Sequence, residues 1–197
     1  MMLKPFEREN VLSMPVVLIS TVSDDGVANL APWGNVTPIL RPLDEIVIAS
    51  ALKRDTLDNI RKTGEFVINV PPASMIDEVM ICSRHYPSGV DEFIEAGLSK
   101  KSSSTVVPPG IEGCIAWIEC RLKEEIVRDK YSLVIGQVTS LEVNEDFVSA
   151  KGDLDYEKAA PLCMVCGGSV IHYTKPVRAG RTAQYSEMFS WPGKTEG

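Results

Sequence analysis

The 197-residue sequence lacks the features of proteins that bind nucleic acids or cross membranes. It has 20 basic residues against 27 acidic ones, a net charge of −7, so no excess of positive charge is present for contact with phosphate backbones. No apolar run approaches the roughly 20 residues of a membrane span, and the first residues contain no apolar signal core. We therefore expect a cytoplasmic protein that binds neither nucleic acid nor membrane.

Several common catalytic and cofactor motifs are also missing. The sequence has neither a Gly-x-Gly-x-x-Gly fingerprint nor a P-loop, so a nicotinamide coenzyme in a Rossmann crevice is not indicated. Its two histidines, His85 and His172, stand apart, and no Ser/His/Asp arrangement or carboxylate pair stands out. His85 is either an ordinary surface histidine or a side chain that reaches a cofactor or substrate. No catalytic residue is predicted.

The five cysteines are odd in number and scattered, which argues against a disulfide framework. Cys163 and Cys166 have the spacing of a redox or zinc motif, but the sequence lacks the second pair or the histidines that zinc would need. We expect no metal site and mostly buried thiols, with a redox role for this pair as the alternative.

The composition is that of a globular protein, with 44% apolar and 24% charged residues. The length fits one domain, which we place at residues 1–175. The remaining tail, residues 176–197, contains Tyr185, Met188, Phe189 and Trp191 among polar residues. It is too apolar for a free linker, so we expect it to dock on the body or on a partner subunit.

Apolar and β-branched segments predict a protein made mainly of strands. Asp24, Asp25 and Gly26 form a strong hairpin signal between the first two segments. Hairpin connections, with helices inserted rather than alternating with strands, predict an antiparallel β-barrel. The predicted strands are residues 14–22, 27–30, 36–40, 45–50, 65–70, 116–123 and 131–143.

Three short helices are predicted between the strands. The first runs to Thr63, is capped by Asp55 or Thr56, and stops at Gly64. The second helix opens at a capping box that begins with Ser74, and the helix ends near residue 82. The third covers residues 91–96.

The segment of residues 50–56, which joins a strand to the first helix, is the first candidate site. A helix N-terminus attracts anions, and Lys53 and Arg54 add two cations there. The pair could equally be solvated loop charges. Phosphate binding would involve Ser50, Ala51, Leu52, Lys53, Arg54, Thr56 and Asn59.

Residues 29–35 form the second candidate site. They could be only a strand-breaking loop, but their small residues would let backbone amides approach the edge of a planar ring. The candidates are Asn29, Ala31, Pro32, Trp33, Gly34 and Asn35.

The ordered series of these segments resembles the flavin-reductase-like FMN-binding split-barrel family, which includes flavoredoxin-like proteins. The resemblance covers residues 14–173 and rests on residues 17–21, 26–32, 53–60, 64–70, 86–93, 96–98, 135–138 and 167–168. It implies an antiparallel split β-barrel and a homodimer with FMN at the subunit interface. The flavin ring would lie near residues 29–35, and the phosphate would lie at residues 50–56 and Asn59.

The resemblance implies an oxidoreductase that passes electrons from NAD(P)H or a reduced protein through FMN to an acceptor. Two positions differ from the family pattern: Gly34 replaces a frequent hydroxyl residue, and Lys130 stands where many members have a histidine. These differences favour the alternative of an electron carrier or sensor without NAD(P)H turnover. A third possibility, a structural module without flavin, is disfavoured because Lys53, Arg54, Thr56 and Asn59 are retained.

Overall fold

The computed structural model describes residues 2, 4 and 11–180. In this part of the chain the strands are β1 (Met14–Pro15), β2 (Val17–Val22), β3 (Ala28–Trp33), β4 (Val36–Pro38), β5 (Glu45–Ala51), β6 (Glu65–Val70), β7 (Lys100–Lys101), β8 (Gly110–Ile111), β9 (Ala116–Val127), β10 (Tyr131–Val143), β11 (Cys163–Gly167) and β12 (Val170–Thr174). The α-helices are α1 (Asp55–Thr63), α2 (Ile76–Cys82), α3 (Glu92–Glu95) and α4 (Tyr156–Ala159).

Seven strands form one antiparallel sheet in the order β3-β2-β6-β9-β10-β5-β4. Its two edge strands, β3 and β4, follow each other in the chain and are joined only by Gly34 and Asn35. Laid flat, seven strands would separate the edges by roughly 29 Å, whereas this connection spans at most about 11 Å. The sheet must therefore curl, and the predicted antiparallel split barrel is confirmed.

Strand β2 is buried on both of its faces. Val17 and Ile19 belong to one apolar cluster, and Leu18 belongs to another. Leu57 and Ile60 of α1 pack in the first cluster, as expected from their helical spacing. Helices α2 and α3 pack in the second cluster, so the sheet is covered by α1 on one side and by α2 and α3 on the other.

The predicted turns between the first elements are confirmed. Gly26 adopts a φ of 83°, and Val22 pairs with Ala28 across the hairpin. Gly64 ends α1 with a φ of 73° and donates its amide to the carbonyl of Ile60 at 2.8 Å. Glycine tolerates both left-handed positions without strain.

Strand β3 continues three residues beyond its predicted end at Leu30 and passes through Pro32. Proline is tolerated because β3 is an edge strand, and a position that faces away from β2 needs no amide donor. Most of residues 29–35, the predicted strand-breaking loop, therefore belong to a strand.

Two predicted helix caps are wrong. Asp55 and Thr56 lie inside α1, whose N-cap residue is Arg54, and no side chain caps this helix. Ser74 does not cap α2, because Ala73–Met75 form a 3₁₀ turn after the two prolines and α2 begins only at Ile76.

The sequence did not predict α4 or the pairing of β1 with β11 and of β11 with β12. These elements are short, and β11 combines a distant partner, β1, with a local hairpin to β12 in which Gly167 pairs with Val170. Of the predicted tail, residues 176–180 border a groove of about 710 Å³ with α4. Residues 181–197 lie outside the described residues. Within residues 11–180, no helix is long and apolar enough to span a bilayer.

Candidate functional site

A cavity of about 420 Å³ lies where the β3–β4 connection, the end of β5, the start of α1 and the end of α2 meet. It brings together the two segments that the sequence singles out. The lining residues are Asn29, Ala31, Pro32, Trp33, Gly34, Asn35, Ala49, Ala51, Arg54, Asp55, Thr56, Cys82, Ser83, Arg84, His85, Tyr86 and Glu92.

Nine of the thirteen candidate residues line this cavity, and Ser50, Leu52, Lys53 and Asn59 do not. Ser50 is buried in β5 and donates its hydroxyl to the carbonyl of Ala51 at 2.8 Å. Lys53 is exposed beside the cavity. Asn59 lines a neighbouring cavity of about 310 Å³. The side chains most directly available to a ligand are therefore those of Arg54 and Thr56.

The N-terminus of α1 opens into the cavity without a side-chain cap. The amides of its first turn are unpaired within the helix and carry a partial positive charge. Arg61 and Lys62, at the other end of α1, pair with Glu125 and Asp24. Arg54 forms no ion pair with the described residues, so its guanidinium is available to an anion.

A buried polar network supports this helix end. The side-chain nitrogen Nδ2 of Asn29 donates to the hydroxyl oxygens of Thr56 at 3.1 Å and Thr21 at 3.4 Å. The amide nitrogen of Asn59 also donates to Thr21, at 3.0 Å. Because the Thr56 hydroxyl accepts from Asn29, its own proton can be donated to a ligand. Asn59 therefore lies behind the cavity wall, where its bond to Thr21 helps to hold Asn29 and Thr56 in place.

The outer edge of β3 presents mainly acceptors. The amide of Leu30 points away from β2 and donates to Glu92 Oε2 at 2.9 Å. Two residues further, Pro32 faces the same way and has no amide hydrogen. The carbonyl oxygens of Leu30 and Pro32 also point away from β2, and they suit the N–H groups of a planar ligand.

Trp33 contributes a donor that lacks a partner. Its Nε1 is buried and, like Glu78 Oε2, forms no hydrogen bond with the described part of the chain. Buried polar groups are almost always paired. Trp33 lines the cavity, but protein atoms cover its Nε1, so a bound molecule could reach this nitrogen only after the surrounding groups move.

The sequence does not predict that the segment from Ser83 to Tyr86 forms a wall of the cavity, although it allows His85 to reach a cofactor or substrate. The segment follows α2, whose Val79 and Cys82 pack beside β3 residues in the apolar cluster. That packing joins parts of the chain about 50 residues apart, and local patterns do not show it. The available signal was the polar pair Arg84 and His85 directly after an amphipathic helix.

Gly34 lies against the side chain of Met164 in β11. A Cβ built at position 34 would overlap Met164 Cε and would come within 3.5 Å of the Pro15 carbonyl oxygen. A hydroxyl side chain therefore cannot occupy this position unless Met164 moves. Many family members have a hydroxyl residue at this position, whereas in this chain the space beside the glycine is filled by Met164 of β11.

The cysteines do not form a redox pair. Cys163 and Cys166 are three residues apart on β11, which separates their Cα atoms by roughly 10 Å on opposite faces and rules out a disulfide between them. All five cysteines are free. Burial raises the pKa of Cys82, on the cavity wall, to about 12, so this thiol is unreactive at neutral pH. No cluster of metal ligands occurs in the described ranges.

Residues 9–163 match the family model of the flavin reductase like domain. The chain belongs to this family. An uncharacterized protein of Methanothermobacter thermautotrophicus is 44% identical over 195 residues, covering 96% of this chain and 92% of its own. Membership of this family implies a flavin cofactor and supports a flavin-related oxidoreductase.

Solved structures show the same fold at low sequence identity. Flavoredoxin from Methanosarcina acetivorans superposes with a TM-score of 0.77 at 21% identity, covering 90% of this chain and 93% of its own. A proposed flavin reductase with a split barrel domain from Shewanella frigidimarina gives a TM-score of 0.77 at 20% identity, covering 92% and 94%.

The cavity of this flavin reductase-like chain fits the family's cofactor in its chemistry. An uncapped helix N-terminus with an arginine suits a phosphate. The outward carbonyl oxygens of β3 suit the N–H groups of a flavin ring.

Proposed function

We propose that the protein is an FMN-binding oxidoreductase of the flavin reductase type. In this proposal it passes electrons from NAD(P)H or a reduced protein, through FMN bound in the cavity, to an acceptor. The observation that carries the proposal is the meeting of an uncapped, arginine-bearing helix N-terminus with the β3–β4 connection in one cavity.

The size of the cavity favours FMN over FAD. Its volume of about 420 Å³ lies in the lower part of the range of small-molecule sites, about 300–1,000 Å³. The smaller flavin needs less room, and its single terminal phosphate matches one helix N-terminus.

Each candidate residue has a role in this proposal. The amides of α1, Arg54 and the Thr56 hydroxyl hold the phosphate. Ala31, Pro32, Gly34 and Asn35 supply backbone groups beside the ring, and the Trp33 side chain forms part of the wall. The remaining candidates, Ser50, Ala51, Leu52, Lys53, Asn29 and Asn59, shape or charge the surroundings of the phosphate. The flavin supplies the electron-transfer chemistry, and the chain binds and orients it.

The electron donor would approach along the wall formed by Arg84, His85 and Tyr86. Arg84 and His85 are exposed, and neither forms an ion pair with the described residues. They could attract the phosphates of NAD(P)H or an acidic surface of a redox protein.

The second candidate function is an electron carrier or sensor without NAD(P)H turnover. Gly34 favours it, because Met164 occupies the space of the side chain that many reductases place near the flavin. Rapid anaerobic bleaching of the bound flavin by NADH or NADPH in a stopped-flow experiment supports the reductase. Bleaching only by dithionite or a reduced protein supports the carrier.

The proposal also includes a homodimer in the cytoplasm with FMN at the subunit interface. It is supported by exposed apolar side chains on β12, where Val170 and Ile171 are 57% and 51% exposed. Such side chains are typical of surfaces that a second subunit covers.

Titration of the apoprotein with FMN, FAD and riboflavin tests the proposal. Charge-assisted hydrogen bonds contribute roughly 1.5–3 kcal/mol each, so FMN should bind on the order of 10- to 100-fold more tightly than riboflavin, which lacks the phosphate. Equal affinity for FMN and riboflavin would remove the phosphate site from the proposal. If FAD binds most tightly, FAD takes the place of FMN as the proposed cofactor.

A further inference from the structure

Glu92, the first residue of α3, is a buried carboxylate on the wall of the cavity. Its side chain is only 8% exposed, and it lies beside Cys82. Arg54 and Arg84 line the same cavity, but Glu92 forms no ion pair with any described residue. A buried carboxylate without a counter-ion is unfavourable, so its position calls for a physical reason.

The two oxygens of Glu92 have different environments. Oε2 accepts the amide of Leu30 at 2.9 Å. Oε1 accepts no hydrogen bond from residues 11–180, yet it is not sealed off by protein atoms. Because Glu92 lines the cavity, Oε1 is open to it.

Support of β3 alone does not require a negative charge at this position. A glutamine has an amide oxygen that could accept the same bond from Leu30. Burial raises the pKa of Glu92, the bond from Leu30 opposes this in part, and the charges of Asp91 and Asp55 raise it further. The other titratable or charged groups around the cavity are Arg54, Cys82, Arg84, His85 and Tyr86. The pKa of Glu92 therefore lies above its ordinary value, so this carboxylate binds a proton more readily than an exposed glutamate does.

We propose that Glu92 takes up a proton when the cofactor in this cavity is reduced. The inference rests on the proposed function. A hydride donor gives a flavin two electrons and one hydrogen nucleus, which adds one negative charge to the cavity. A like charge nearby makes a carboxylate harder to ionise, so one proton from solvent binds at Glu92 Oε1 and balances the added charge.

The test compares the flavin midpoint potential of the wild-type holoprotein with that of Glu92→Gln as a function of pH. Glutamine imitates the protonated side chain. At alkaline pH the variant should have the more positive potential, because wild-type Glu92 is then charged and opposes reduction. The two potentials should converge as the pH falls. Glu95→Gln is the matched control, since Glu95 is an exposed carboxylate on the same helix, and it should follow the wild type throughout.

A second measurement does not depend on the variant folding. At alkaline pH, where free FMN takes up only one proton on two-electron reduction, the wild-type holoprotein reduced in weakly buffered solution with a pH indicator should take up more protons per flavin than free FMN does. Equal proton uptake, or identical potentials in Glu92→Gln and wild type at every pH, would show that Glu92 only supports β3 and would overturn the inference. If the wild-type protein binds no flavin, the proposed function itself fails, and this result is distinct from the other two.

Discussion

Arg54 and Lys53 are neighbours in the sequence, but only Arg54 lines the cavity. Arg54→Ala should weaken FMN binding on the order of 10- to 100-fold, because it removes charge-assisted hydrogen bonds to the phosphate. Lys53→Ala should weaken binding by less than about threefold, since an exposed charge near the mouth contributes little. Calorimetric titration of both variants measures the difference.

Riboflavin provides the control for this pair of variants. Because it carries no phosphate, its affinity should be the same in Arg54→Ala and in the wild type. An equal loss of FMN affinity in Arg54→Ala and Lys53→Ala would contradict the assignment of the phosphate to Arg54. A loss of riboflavin affinity in Arg54→Ala as large as its loss of FMN affinity would contradict it too.

Gly34 and Met164 fill one space between them. Gly34→Ser should lower the free energy of unfolding by about 1 kcal/mol or less, because the atom that the new Cβ displaces is the flexible end of the Met164 side chain. Met164→Ala should lower the free energy of unfolding by less in the serine variant than in the wild type, since it removes the atoms that overlap the new Cβ. Urea denaturation of the two single variants and the double variant measures this coupling. Strictly additive losses would show that the two positions are independent.

The loop between β7 and β8 is tied to the sheet by one carboxylate. Glu119, 5% exposed in β9, accepts hydrogen bonds from the amides of Ser104 at 2.8 Å and Thr105 at 2.6 Å, and from both hydroxyls. Glu119→Ala leaves these donors unpaired and should lower the free energy of unfolding by about 2–3 kcal/mol. Glu142→Ala, which removes an exposed partner of Lys101, should cost less than about 1 kcal/mol.

The same carboxylate gives stability a defined pH dependence. Burial acts to raise the pKa of Glu119, but the donors from Thr105 and Ser104 outweigh it and hold the pKa below its ordinary value. A lowered pKa in the folded state means that the stabilisation is complete at neutral pH and is lost as the pH falls through that pKa. Denaturation curves at neutral and acid pH should show a smaller acid loss for Glu119→Gln than for the wild type. An unchanged acid loss would contradict this role.

Elements with local signals could be predicted from the sequence. Gly26 and Gly64 mark a hairpin turn and a helix end, because few other residues tolerate their backbone angles. The alternation in β9, with Ile118 in one apolar cluster and Trp117 in the other, also agrees with the prediction. The pairing of β11 with β1 joins positions about 150 residues apart, and no local pattern specifies it, whereas the β11–β12 hairpin has a local signal in Gly167 and Gly168 that the strand prediction did not use.

The candidate site was predictable where the chemistry lies in one segment. Arg54 and Thr56 stand at a recognisable helix start, and both line the cavity. Ser83 to Tyr86 and Glu92 reach the same cavity only through the packing of α2 and α3 against the sheet. Sequence reasoning also could not separate Lys53 from Arg54, because which side chain faces the cavity depends on the backbone at the helix start.

At the scale of the whole molecule, a separate three-stranded sheet, β1-β11-β12, leaves apolar side chains of β12 exposed. The proposed homodimer should give a light-scattering mass of twice the 21.6 kDa chain. Ile171→Asp should shift the protein toward the monomer, because it places a charge on a surface that the partner would cover. Lys151→Asp, a charge change elsewhere on the surface, is the control and should leave the mass unchanged. A wild-type monomer that retains FMN would contradict the dimer.

The central claim is that the cavity between the β3–β4 connection and α1 holds FMN. The most direct measurement is the visible spectrum of the purified protein after saturation with flavin and removal of excess ligand, followed by mass identification of what denaturation releases. We expect a yellow protein that releases FMN at one molecule per chain, and an Arg54→Ala protein that loses most of this flavin on the same column. A colourless wild-type protein, or one that releases no FMN, would contradict this claim.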